Sequence, residues 1–123
     1  MPLMALRGAT TVAADDAALL AEATQELLRT LLERNALDVG RVTSATFTST
    51  ADLTCAYPAE AARAMGWDRV PMLCAVDPPV RGALPRCVRV LLHVDVPDAA
   101  TAARHAFLRD AAALRPDWSD PRG

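Results

Sequence analysis

Two arginines stand where a merely solubilising charge is not expected: Arg7 inside the first β-tolerant run, and Arg89 inside CVRVLLHVD, the most apolar run of the chain. A guanidinium is planar, stays charged when desolvated and binds a carboxylate through two parallel N–H donors. Arginines so placed therefore suit a small polyanion. Arg63, on an alanine-rich segment, and Arg115, just after Leu114, are the two that could complete such a site. Taken singly, each is more simply a strand or helix residue pointing to solvent; only their convergence makes a binding site.

Other chemistries lack their residues. The chain has no Gly-x-Ser-x-Gly elbow, phosphate loop, His-Glu-x-x-His or GxGxxG, so hydrolase, nucleotide-binding and zincin patterns are absent. All 13 basic residues are arginine, which excludes a lysine Schiff base or lysine general base. Cys55, Cys74 and Cys87 are odd in number and never spaced Cys-x-x-Cys, arguing against a disulfide framework or zinc site and fitting a reducing cytoplasm. His93 and His105 read as surface or interface residues, and a Cys–His nucleophile pair has no support in the spacing.

With 13 basic and 15 acidic side chains the formal charge is -2, so no basic footprint for nucleic acid is present. Charges interrupt every apolar run short of the ~18 residues a membrane span needs, and no targeting segment is visible. A cytoplasmic protein with neither a membrane nor a nucleic-acid partner is expected. A length of 123 residues, 52% hydrophobic and 23% charged, predicts one globular domain over 1–123.

The elements that must position the arginines follow from periodicity. Residues 4–12 alternate as a strand, with Ala5, Arg7 and Ala9 on one face and Leu6 and Gly8 on the other. Asp15 and Asp16 open a helix over 15–34 whose Leu20, Ala23, Leu27 and Leu31 recur at helical spacing, with Asn35 as its stop. A β-branched run predicts a strand over 41–48. Pro58 starts a short helix that Gly66 ends. Residues 71–76 form a brief strand, broken by Asp77-Pro78-Pro79. The strand over 87–95 places Val88, Val90, Leu92 and Val94 on one face and Cys87, Arg89, Leu91, His93 and Asp95 on the other. Pro97 and Asp98 can open a further helix, and propensity alone keeps 101–113 helical.

The string Arg7-Gly8-Ala9-Thr10-Thr11-Val12, the segment Ala56-Tyr57-Pro58-Ala59 with Arg63, the run Val70-Pro71-Met72-Leu73-Cys74, the run Cys87-Val88-Arg89-Val90, Arg104-His105 and the closing Leu114-Arg115-Pro116-Asp117 together resemble the monofunctional AroH-class chorismate mutases. The resemblance covers nearly the whole chain in order. It implies an α+β fold: a mixed β-sheet packed against one long helix plus short helices. Three subunits would form a pseudo-α/β barrel, a homotrimer with active sites between neighbours. It also implies that the chain after Arg104 runs as a strand rather than the helix that propensity favours.

The implied activity is the Claisen rearrangement of chorismate to prephenate, a unimolecular step with no cofactor or metal. By that resemblance Arg89 donates to the ether oxygen and a carboxylate, and Arg7 holds the other end of the dianion. From the neighbouring subunit Tyr57, Ala59, Leu73 and Cys74 wall the pocket and Asp77 accepts from the ring hydroxyl. Arg63 and Arg115 lie near its mouth, and Leu114 and Phe107 close it. The chain departs from the family in having Asp77 for a glutamate, Phe107 for a tyrosine, Leu73 for a threonine and Glu60 for a lysine. Those departures imply a slower enzyme than its relatives. The alternatives are a non-catalytic binder of a small dicarboxylate and a mutase for a chorismate relative such as isochorismate. Neither feedback control nor the pathway served is legible.

Overall fold

A computed structural model describes residues 2–118. The elements, in chain order, are β1 (Leu3–Thr11), α1 (Ala17–Arg34), β2 (Val42–Ser49), α2 (Pro58–Ala64), β3 (Met72–Val76), β4 (Cys87–Asp95) and β5 (Ala106–Phe107), with 3-10 turns at Val39–Arg41, Arg109–Ala113 and Pro116–Trp118. The strands form one sheet in the order β3-β2-β4-β1-β5. β4 runs antiparallel to both β1 and β2, whereas β3 on β2 and β5 on β1 are parallel. The sheet is therefore mixed, and the fold is α+β.

Alternation decides which side is covered. Leu6, Phe47, Val88, Val90, Leu92 and Val94 face α1 and α2 and meet Leu20, Leu27, Leu28, Leu31 and Trp67 in one buried cluster. Each such leucine contributes about 1.5–3 kcal/mol by burial. Gly8 lies where α1 presses closest: a Cβ there would meet Leu31 Cδ1 at 2.9 Å and Leu27 Cδ1 at 3.0 Å. The helix thus seats directly on the strand that carries Arg7. Among the described residues no α-helix covers the opposite sheet face, where a small cluster of Ala9, Cys87, Phe107 and Ala111 is buried.

Several expectations need correction. α1 begins at Ala17 rather than Asp15, because Asp16 is the cap, its carboxylate accepting from the Leu19 amide, while Asp15 turns away to another loop. Asn35 does end it, and Gly66, at φ 102, follows α2 as its stop. The alanine-rich C-terminal segment is not an α-helix; only Arg109–Ala113 winds, as a 3-10 turn. The segment pairs two residues with the β1 edge, and Phe107 and Ala111 bury against Ala9 and Cys87, tertiary gains that override alanine's propensity. Pro97 and Asp98 form a turn, with Asp98 accepting from the Ala100 and Thr101 amides. Among the described residues no helix is long and apolar enough to cross a membrane.

Candidate active site

Arg89 leaves β4 on the uncovered face, between Thr48 of β2 and Ala9 of β1, its two partners in register. Arg7 stands opposite Leu91, two residues farther along β4 on the same face, so the two guanidiniums are diagonal cross-strand neighbours. Asp77 follows β3 directly, its amide donating to the Ser49 carbonyl and extending the ladder by one residue. From there its Oδ2 reaches across β2 to lie 3.3 Å from Arg89 Nε, with the Asp77 side chain 13% exposed.

These side chains line a shallow cavity of about 300 Å³ with Thr46, Thr48 and Leu91. Two cations and one carboxylate leave it one positive charge in excess. Thr48 Oγ1, Asp77 Oδ2 and Arg89 Nε are buried there without a hydrogen-bond partner among the described residues; the Arg89–Asp77 pair is close in charge but not aligned for a hydrogen bond. Buried polar atoms left so are costly, and a polar anionic ligand would answer them. Arg7 has no ion pair among the described residues. Its amide donates to His105 Nδ1 at 2.9 Å. The thiol of Cys87, two residues from Arg89 on this face, is pushed up by burial, against the pull of the Arg89 charge.

A second cleft of about 400 Å³ lies at the β3 edge, lined by Cys55, Tyr57, Glu60, Cys74, Ala75 and Val76 among others. Its loop is fixed by Asp15, whose carboxylate accepts from the Thr54 and Cys55 amides and the Thr54 hydroxyl. Those hydrogen bonds, the Thr54 hydroxyl first, hold the Asp15 pKa at about 2. Burial, followed by the Asp15 carboxylate, pushes the Cys55 thiol up.

The structure thus brings Arg7, Asp77 and Arg89 together in one chain. Asp77 was expected to meet the substrate from a neighbouring subunit; within one chain it lies beside Arg89, because β3 ends one strand away. Tyr57 and Cys74 line the separate cleft. Leu73 and Cys74, expected to wall one pocket, point to opposite sheet faces, as adjacent strand residues must; Leu73 lies opposite Thr46 on the uncovered face and is 73% exposed. Ala59 is buried in the main core, so its methyl is a packing group. Phe107 is buried beside Ala9 and Cys87, with Leu114 packed on the same cluster. Arg63 is exposed on α2. Arg115 forks onto Asp117 through Nε at 3.2 Å and Nη2 at 3.0 Å.

Sequence reasoning missed Thr46 and Thr48. Their alternation in β2 was visible, but not the register that sets Thr48 against Arg89.

The comparisons with known proteins agree with one another. The model of the family described as chorismate mutase type I matches residues 3–118. A Thermus thermophilus protein named chorismate mutase AroH is 45% identical over 113 residues, covering 91% of this chain and 93% of the relative. A Bacillus subtilis protein of the same name is 34% identical over 120 residues, 97% of this chain and 94% of the relative. The solved structure of a chorismate mutase from Clostridium thermocellum superposes with a TM-score of 0.87 at 39% identity, covering 90% of this chain and 99% of that one.

Proposed function

We propose, from the premise that this chain belongs to the chorismate mutase type I family, that it rearranges chorismate to prephenate at sites built between subunits of a homotrimer. The observation that carries the reading is the Arg7–Asp77–Arg89 cluster: two arginines and a carboxylate fixed on one rigid sheet face.

In the rearrangement the ether C–O bond of chorismate breaks as a C–C bond forms between the enolpyruvyl side chain and the ring. Negative charge develops on the ether oxygen and positive charge on the ring. No proton has to move, so the protein's work is to hold the folded conformer and meet those charges with groups already in place. Arg89 donates to the ether oxygen and an adjacent carboxylate, an interaction that strengthens as the bond breaks. Arg7 takes the second carboxylate. Asp77 faces the ring, accepting from its hydroxyl and opposing the positive charge, while its contact with Arg89 holds that guanidinium over the sheet face.

The exposed cleft at Tyr57 and Cys74 lies apart from this cluster within one chain. In the trimeric reading a neighbouring subunit supplies that cleft to the site. What supports the reading is the uncovered sheet face, where Leu3 is 61% and Leu73 73% exposed, apolar area of the kind that marks an interface. Arg63 and Arg115 then stand at the mouth of the pocket, with Phe107 and Leu114 closing one end.

The test is conversion of chorismate by a catalytic amount of purified protein, followed by proton NMR. Prephenate forming faster than in buffer is expected. Chorismate left unchanged, or merely bound, would refute the reading.

A further inference from the structure

The β1–β5 pairing is two residues long, Gly8 with Ala106 and Ala9 with Phe107, and the Arg7 amide lies just beyond it. An amide at that point faces β5 with no backbone carbonyl to receive it. The imidazole of His105 takes the carbonyl's place, Nδ1 accepting at 2.9 Å. His105 can do so because its own backbone is turned toward α1. Its carbonyl accepts from Arg34 Nη1 at 3.0 Å. Asn35 grips the preceding residue from both sides, Oδ1 accepting from the Arg104 amide and Nδ2 donating to its carbonyl. The C-terminus of α1 thereby aims the His105 ring at β1.

We infer that His105 is a positioning residue for the anion-binding end of the site: its unprotonated Nδ1 pins the backbone of Arg7, and so fixes where that guanidinium meets a substrate carboxylate. The inference rests on the chorismate mutase reading of Arg7. It gives the β1 strand two anchors around that arginine, Gly8 under Leu27 and Leu31 on one side of the sheet and His105 at its edge.

The anchor works only while Nδ1 lacks a proton, since an imidazolium presents donors at both nitrogens. Among the described residues the charges that act on the ring are Arg7 on β1 and Arg115 on its own segment, the latter paired with Asp117, while Arg34 at the end of α1 holds the His105 carbonyl and Arg104 precedes it in the chain. Burial first, then the Arg7 and Arg115 guanidiniums, hold its pKa below the ordinary value. The neutral ring is therefore the form present at neutral pH. Acidification sets an N–H against an N–H and releases the β1 edge, whereas chorismate's carboxylates stay ionised down to about pH 5.

The experiment compares KM, kcat and amide hydrogen exchange for the parent, His105→Ala and His105→Asn. An asparagine Oδ1 occupies the place of Nδ1 and does not titrate. His105→Ala should raise KM about tenfold with kcat within about threefold, the scale of one lost positioning hydrogen bond. His105→Asn should stay within about threefold of the parent. Between about pH 7.5 and pH 5, KM should rise for the parent and stay flat for His105→Asn. Exchange protection of the Arg7 amide should be lost in His105→Ala and kept in His105→Asn.

Parental KM in His105→Ala, equal damage in both variants, or a parent that binds more tightly as pH falls would each overturn the inference. If His105→Ala does not fold, the pH profiles of the parent and His105→Asn decide. If the parent does not turn over chorismate, the functional reading has failed, and Arg7 amide protection still tests the anchor.

Discussion

Arg89 Nε and Asp77 Oδ2 meet at 3.3 Å across a strand that belongs to neither residue. Arg89 is on β4 and Asp77 just past β3, with β2 between them. A carboxylate so placed holds the guanidinium against the sheet, and the two prolines after Asp77 restrict the backbone that carries it. The same carboxylate is within reach of Nε but not aligned for a hydrogen bond to it.

A side chain one methylene longer extends farther toward the ring hydroxyl and the positive charge that the chorismate mutase reading sets against this carboxylate. Asp77→Glu is expected to raise kcat several-fold with little change in KM, because the improved contact acts on charge that develops during the reaction. Steady-state kinetics on the folded variant check it. A turnover below the parent's would show that the loop already suits aspartate.

Asp15 ties the Tyr57 loop to the start of α1, and its pKa of about 2 lies below the 3.8 usual for aspartate. A group with a depressed native pKa stabilises the fold above its ordinary pKa, and that stabilisation is lost as pH falls from about 4 toward 2. Asp15→Ala should melt at a lower temperature than the parent at neutral pH, with the difference shrinking toward pH 2. Thermal melts across that range measure it; a difference independent of pH would contradict the assignment.

The trimeric reading makes the uncovered sheet face an interface. Leu3→Glu changes a residue already 61% exposed in the single chain, so a monomer should tolerate it with little loss of stability. In a trimer it buries an unpaired charge, which is costly. Sedimentation of the parent at micromolar concentration should give a trimer, and the variant a folded species that is smaller and inactive. A stable, active parental monomer would contradict the reading.

How much of this was legible before the fold is visible in particular residues. The alternation of Val88, Val90, Leu92 and Val94 against Arg89 and Leu91 fixed both faces of β4, because a strand's period leaves no choice once one face is apolar. The leucines of α1 were equally plain. What periodicity could not supply was register and edge pairing. Thr48 opposite Arg89, Asp77 in the same chain as Arg89, and His105 in place of a carbonyl all depend on which strands neighbour and at what offset. The C-terminal segment misled propensity, since alanine favours helix while Phe107 and Ala111 gain more by burial against β1. Only the resemblance to a known family placed a strand there.

The most direct test of the account is the second-order rate of chorismate conversion by Arg89→Lys beside the parent, both shown to be folded and in the same oligomeric state. Lysine keeps the charge but loses the planar fork of donors aimed at the ether oxygen. The account predicts a parent that converts chorismate to prephenate and a variant slower by at least about 100-fold, the scale of a lost preorganised donor. Near-parental turnover in Arg89→Lys and in Arg89→Ala would contradict it, because the rate would then not depend on the guanidinium at the centre of the site.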